Sequence, residues 1–249
     1  ISSKGVSAAF LYWGIIVMAL VFVGAQLLKD APVETVSVNN SSNENNFTVR
    51  QMLKTRQAYL LFIVFFTACM SGLYLIGIVK DIGVQLAGLS PEVAANAVAM
   101  VAIFNTSGRI ILGALSDKVG RLKVVLFTLT VTAMAVFILS FVNLNFGIFF
   151  ACVAGIAFCF GGNITIFPAI VGDFFGLKNH SKNYGIIYQG FGFGALSGSV
   201  IASLAGGFKP TFIVIGMLCI VSVVIVAKIK APESVEVTNK NSKIITDAA

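Results

Sequence analysis

Gly113-Ala114-Leu115-Ser116-Asp117-Lys118-Val119-Gly120-Arg121 is a charged turn set between two long apolar stretches, and its reading decides the fold. Each small or charged position has a physical reason. Gly113 lacks a side chain and lets a neighbouring helix approach closely. Gly120 permits a tight turn, and Asp117 can accept hydrogen bonds from a helix N-terminus or a basic partner. An ordinary basic connection on the positive side of a membrane would carry similar charges, so the surroundings of the turn have to separate the two readings.

Outward from the turn, the chain is 57% hydrophobic and only 11% charged, more apolar surface than a soluble fold can hide. A bilayer span needs about 20 apolar residues. Seven runs meet that need, at roughly 9–28, 58–79, 93–115, 122–142, 146–172, 183–205 and 210–229, so the fold class is an all-α membrane protein. The net charge of +7 is not gathered into a phosphate-tracking patch, which argues against nucleic acid as a partner. Thirteen of the 17 basic residues, among them Arg50, Lys54, Lys118, Arg121, Lys178, Lys182 and Lys228, fall on one side of the spans. Lys4, Lys80 and Lys209 fall on the other. The positive-inside rule then places the Asp117 turn and the C-terminal tail in the cytoplasm.

Residues suited to bond-making chemistry are sparse. Cys69, Cys152, Cys159 and Cys219 lie within apolar runs, where a thiol behaves as a small hydrophobe, and none has metal-ligand spacing. The single His, His180, falls in a turn, no Glu lies inside a run, and Asp81 and Asp173 sit near run ends. The expectation is a non-enzyme without metal or cofactor.

The turn resembles the loop signature of the major facilitator transporters: Gly, three residues, Asp, Arg or Lys, any residue, Gly, Arg or Lys. Gly113, Asp117, Lys118, Gly120 and Arg121 occupy those positions. In that family the turn acts as a conformational latch, holding two six-helix halves together while the cavity faces outward. Each half consists of two inverted three-helix repeats. One run, a polar stretch and six further runs then imply the major facilitator fold, with the C-terminal six-helix half plus one preceding helix. The expected division is 1–28 as the sixth helix, 29–57 as the central cytoplasmic loop, 58–229 as the C-terminal bundle and 230–249 as a cytoplasmic tail. Ile1 is not an initiator Met, and the chain reads as a fragment lacking the N-terminal helices that would partner it. Asn40-Ser41-Ser42 and Asn46-Phe47-Thr48 match the glycosylation pattern but lie on the expected cytoplasmic side, so they read as accidents of an Asn-rich linker.

A substrate site is sought inside the runs. Arg109 is the one basic residue well inside a run, where Arg costs about 2.5–3.5 kcal/mol on insertion scales. Snorkelling toward Ser116, about 10 Å along the helix, is one account. Val98, Ala102, Asn105, Arg109, Gly113 and Ser116 form a small or polar stripe, which favours a water-filled cavity with Arg109 binding an anion. Phe160, Gly161, Gly162 and Asn163 make a weak helix point that either lines the site or is a simple hinge, and Pro168 should kink or weaken the same span. In the sixth run, Gly190, Gly194, Gly198, Ala202 and Gly206 read as a close-packing ridge. Tyr184, Tyr188 and Phe191, with Gln189 beside them, form a second face that serves either packing or ligand contact.

Four stretches narrow the resemblance to the oxalate/formate antiporter family. They are Ser71-Gly-Leu-Tyr-Leu-Ile-Gly77, Phe104-Asn-Thr-Ser-Gly-Arg109, Pro168-Ala-Ile-Val-Gly-Asp-Phe-Phe-Gly-Leu-Lys-Asn179 and Tyr184-Gly-Ile-Ile-Tyr188. The resemblance implies exchange or uptake of small organic carboxylates such as formate, lactate, pyruvate or oxalate, in the plasma membrane. It makes Arg109 a carboxylate grip and Phe160 and Tyr188 aromatic cavity walls, and it places Phe191 where oxalate-specific members carry a Lys. With that second charge absent, a monocarboxylate is favoured. A proton-coupled exporter of drugs or other solutes shares the fold and is the alternative; a non-transporting membrane scaffold is a remoter one.

Overall fold

The computed structural model describes residues 5–27 and 46–232, and the chain divides into two units, 1–42 and 43–249. In the first unit, α1 (Gly5–Leu27) is a single helix with no charged residue from Phe10 to Leu27. The second unit is a bundle of α2 (Val49–Met52), α3 (Arg56–Gln85), α4 (Pro91–Val119), α5 (Arg121–Phe141), α6 (Phe146–Phe175), α7 (His180–Ile187), α8 (Gln189–Ala205) and α9 (Phe208–Lys228). Among the described residues, seven helical segments, α7 and α8 counted together, are long and apolar enough to cross a membrane. The 30 residues of α3 and of α6 reach about 45 Å, the thickness of a bilayer with its headgroups. The Lys230 to Ala249 tail lies almost wholly outside the described residues, as does Asn40-Ser41-Ser42.

Local chemistry sets the helix ends. Ser90 accepts a hydrogen bond from the Val93 amide and Pro91 occupies the first helical position of α4, where its missing N–H costs nothing. A single residue, Gly120, ends α4 and begins α5 with φ of +107°, a backbone geometry that only glycine adopts without strain. The Asp117 turn is therefore a sharp reversal between two long helices.

Packing in the bundle follows an exchange between two helix triplets. α3 packs along α8, α4 along α6 and α5 along α9, the pattern that two inverted repeats produce when the first helix of each lies against the second of the other. Glycines line the α3–α8 and α4–α6 seams. A Cβ on Gly190, Gly194 or Gly198 would meet the backbone or inner side-chain atoms of Phe66, Met70 or Tyr74 in α3, so these three make the expected ridge. Gly206 leaves it: it is exposed, with φ of +78°, and caps α8.

Helix continuity differs between the fifth and sixth runs. α6 stays helical from Phe146 through Pro168 to Phe175, and its glycines are packing sites. Phe160 covers Gly72 of α3, Gly161 touches the backbone of Asn105 and Gly162 meets Leu112 in α4. The interruption falls instead in the sixth run, at Tyr188 between α7 and α8.

Residues 46–55, expected as part of a loop, pack onto the bundle. Phe47 is 5% exposed, its amide donates to Phe175 O (2.9 Å) and its ring meets Phe175 edge-on. The Phe47 carbonyl accepts from Asn179 Nδ2 (3.1 Å) and Asn183 Nδ2 (2.9 Å), while the Lys178 amide donates to Asn46 Oδ1 (3.2 Å). Thr48 and Gln51 close a capping box on α2. Asn46-Phe47-Thr48 is thus an anchor that joins the start of α3 to the end of α6 and to α7. Asn183→Ala leaves the Phe47 carbonyl to Asn179 alone and is expected to cost about 1 kcal/mol, seen as a lower melting temperature of the purified protein.

Candidate functional site

The stripe on α4 divides along its length. Val98, Ala102 and Arg109 are exposed on the bundle, Asn105 is half-buried, Ser116 is buried and Gly113 turns toward α6; a Cβ on Gly113 would come 3.0 Å from Thr165. Gly108 marks the closest approach. A Cβ there would fall 2.0 Å from Phe158 O, and one on Gly161 would fall 2.0 Å from Asn105 O. The contact is reciprocal, each helix presenting a carbonyl to the other's glycine three residues along. α4 and α6 are in backbone contact at the level of Arg109.

Arg109 projects beside that seam. Its Nε donates to Asn105 Oδ1 (3.2 Å), and Asn105 Nδ2 donates to Ala157 O of α6 (3.3 Å). Asn105 lies one turn toward the N-terminus of α4, the direction in which helical side chains lean. The guanidinium therefore points away from the Asp117 end, which a snorkelling Arg would have to approach. Among the described residues no carboxylate pairs with Arg109.

The remaining candidates are distributed over other helices. Phe160 is 5% exposed against α3, and Asn163 is 1% exposed with its amide meeting the Thr128 hydroxyl of α5 at 2.7 Å. Both belong to the interior of the bundle and not to the face that carries Arg109. Tyr188 is 39% exposed and stacks on half-buried Phe191 (5.3 Å between centroids, 8°). His180, Tyr184, Tyr188 and Phe191 continue as a file of rings along α7 and α8, and Phe65 of α3 lies behind Tyr188 (6.0 Å). Gln189 is exposed and donates to Gly185 O (3.2 Å). Arg109 and the Tyr188 group stand on helices packed against different partners, α6 and α3.

A second cluster surrounds the Asp117 turn. Arg121, the first residue of α5, donates to Asp117 Oδ1 (3.3 Å), to Ala169 O of α6 (3.2 Å) and to the Asp173 carboxylate. Lys118 is exposed at the last turn of α4. Asp173, which the sequence places only near a run end, has the partner its position demands: a carboxylate in the last turn of a helix faces the negative end of the dipole and calls for a cation. His180 Nε2 lies 2.8 Å from Pro168 O, and because a carbonyl only accepts, that nitrogen carries the proton. The end of α6 is held from two sides.

The turn and the exchanged triplets agree with the comparison to known proteins. Residues 74–246 match the family model of the Major Facilitator Superfamily. The chain belongs to this superfamily. It is an integral multi-pass membrane protein of a transporter family. It is 45% identical over 196 residues to the uncharacterized MFS-type transporter YhjX of Escherichia coli (strain K12), covering 79% of this chain and 49% of that protein. It is 30% identical over 187 residues to the oxalate:formate antiporter of Oxalobacter formigenes, covering 74% of this chain and 44% of that one. The chain spans about half the length of these curated major facilitator relatives.

Proposed function

We propose that this chain supplies the anion-gripping half of a secondary transporter for small organic carboxylates, working by alternating access, with formate, lactate or pyruvate favoured over oxalate. Arg109 carries the reading. It stands about 15 Å from the Val119 end of α4, exposed on the bundle, held at Nε by Asn105, and without a carboxylate partner among the described residues. A cation at such depth is costly, and a substrate carboxylate offsets that cost through the fork of Nη donors left over. α8 contains no charged residue, and Phe191 stacks on Tyr188 where oxalate-specific members of the family it resembles carry a Lys. One charge suits one carboxylate. The similarity to an oxalate:formate antiporter supports the anion class.

In this reading the protein lies in the plasma membrane with the Asp117 turn in the cytoplasm, surrounded by lipid, and further helices of the same transporter form the other wall of the cavity. Nucleic acid has no part in it. A proton-coupled exporter, the alternative, would need a carboxylate within the membrane; in this chain Asp81, Glu92, Asp117 and Asp173 stand near helix ends, so the further helices would have to supply it. Counterflow of labelled formate, lactate or oxalate in proteoliposomes holding the whole transporter tests the proposal. Flux of at least one, fastest for a monocarboxylate, is the expected result; no flux of any would refute it.

The Arg121 cluster serves as the latch. Asp117 and Asp173 hold one guanidinium at the junction of α4, α5 and α6, so rearranging the turn changes the pairing. Asp117→Asn is expected to slow exchange on the order of fivefold, the factor for an exposed ion pair of up to about 1 kcal/mol, while substrate Kd stays unchanged. Rates from counterflow and affinities from equilibrium binding separate the two effects.

A further inference from the structure

We infer that Asn105 is a positioning residue for the anion site, fixing the guanidinium of Arg109 by referring it to the backbone of α6, and that it does not itself contact the substrate. The inference rests on the carboxylate reading of Arg109. Its basis is the direction of two hydrogen bonds through one amide. Arg109 Nε can only donate and Ala157 O can only accept, so the amide has a single orientation that satisfies both: Oδ1 toward Arg109 (3.2 Å) and Nδ2 toward Ala157 (3.3 Å). Both polar atoms of Asn105 are thereby engaged by protein, and its orientation is set by these two bonds, with one Nδ2 proton left over.

The reference point is rigid. Ala157 lies in the interior of α6, where its carbonyl takes the amide four residues on, that of Gly161, and offers a second lone pair to Asn105. Gly161 is also the residue whose α-carbon abuts Asn105 O, and Gly108 answers it against Phe158 O. Backbone contact on both sides of Asn105 thus fixes the height of α4 against α6, and the amide passes that registration to the guanidinium. With Nε engaged, the plane of the guanidinium is set and its four Nη protons remain for a carboxylate. A bidentate grip depends on such a plane, because both N–H bonds must align together.

Two measurements on the whole transporter test this. In protein labelled with 15N-arginine, the Nε–H resonance lost in Arg109→Lys belongs to Arg109; in Asn105→Ala it is expected to shift and to exchange faster with water. Formate and lactate affinities are then measured in a double-mutant cycle. Asn105→Ala is expected to weaken binding about tenfold alone but less than about twofold in an Arg109→Gln background, since a residue acting through another has nothing left to act on. An unmoved Nε–H signal, or losses that multiply in the double variant as two direct contacts would give, overturns the inference. Asn105→Asp keeps an acceptor for Nε but sets a negative charge beside the guanidinium, and is expected to bind no better than Arg109→Gln; affinity at the level of the unaltered protein would also overturn it. If Arg109→Gln alone retains carboxylate affinity, the carboxylate reading falls and with it the substrate part of this inference, while a shifted Nε–H signal upholds the Asn105–Arg109 coupling separately.

Discussion

Arg109→Gln in the whole transporter is expected to weaken carboxylate binding about 10- to 150-fold, the factor that corresponds to losing charged hydrogen bonds of about 1.5–3 kcal/mol. Folding should survive the change. The side chain is exposed on the bundle, its hydrogen bond is to Asn105 in the same helix, and Gln is nearly as good a helix former as Arg. Arg109→Lys keeps the charge and loses the planar fork, so its affinity should fall between the two. Equilibrium binding of formate or lactate to purified protein measures the series. Retained affinity in Arg109→Gln would remove the anion site from α4.

Gly161→Ala is expected to be among the most damaging single methyls in the bundle. Its Cβ would stand 2.0 Å from Asn105 O and 2.8 Å from Asn105 C, and a backbone carbonyl cannot swing aside as a side-chain tip can. Overpacking costs about 1–3 kcal/mol in ordinary cores, and this site lies at the upper end because two helices have to separate. Gly108→Ala, facing Phe158 O at 2.0 Å, should behave alike. Gly155→Ala is the control on the same helix, since its nearest neighbour, Val131, would be 3.8 Å from the new carbon; it should be neutral or stabilising by up to about 1 kcal/mol through helix propensity. Thermal unfolding in detergent compares the three. Equal melting temperatures for Gly161→Ala and Gly155→Ala would show that the seam yields.

The bundle was legible wherever one helix carried the whole message. Gly190, Gly194 and Gly198 repeat at four-residue spacing on a single face, and Ser90-Pro91 spells a helix start without help from elsewhere. Features that depend on two helices were not legible in this way. Gly161-Gly162 beside Pro168 has the composition of a weak point, and only the backbone of α4 against it turns the pair into a packing site. Tyr188 has no glycine's freedom and no proline's missing donor, so nothing in its own chemistry announced the interruption there. Phe160 and Asn163 look like cavity residues by type, but they point at α3 and α5. Asp173 reaches Arg121 across 52 positions of sequence, a pairing that follows from the packing of α5 on α6. Phe47 read as linker because its partners, Phe175, Asn179 and Asn183, lie far along the chain.

The four cysteines of this chain, all buried and at most 6% exposed, leave it nearly silent to water-borne maleimides. Thiol-specific labelling can therefore begin from the unaltered sequence. A cysteine introduced at Thr106, exposed and one turn from Arg109 on α4, becomes this chain's reactive handle beside the guanidinium. Its labelling rate would report in real time when that wall of the cavity is wetted and from which side of the membrane.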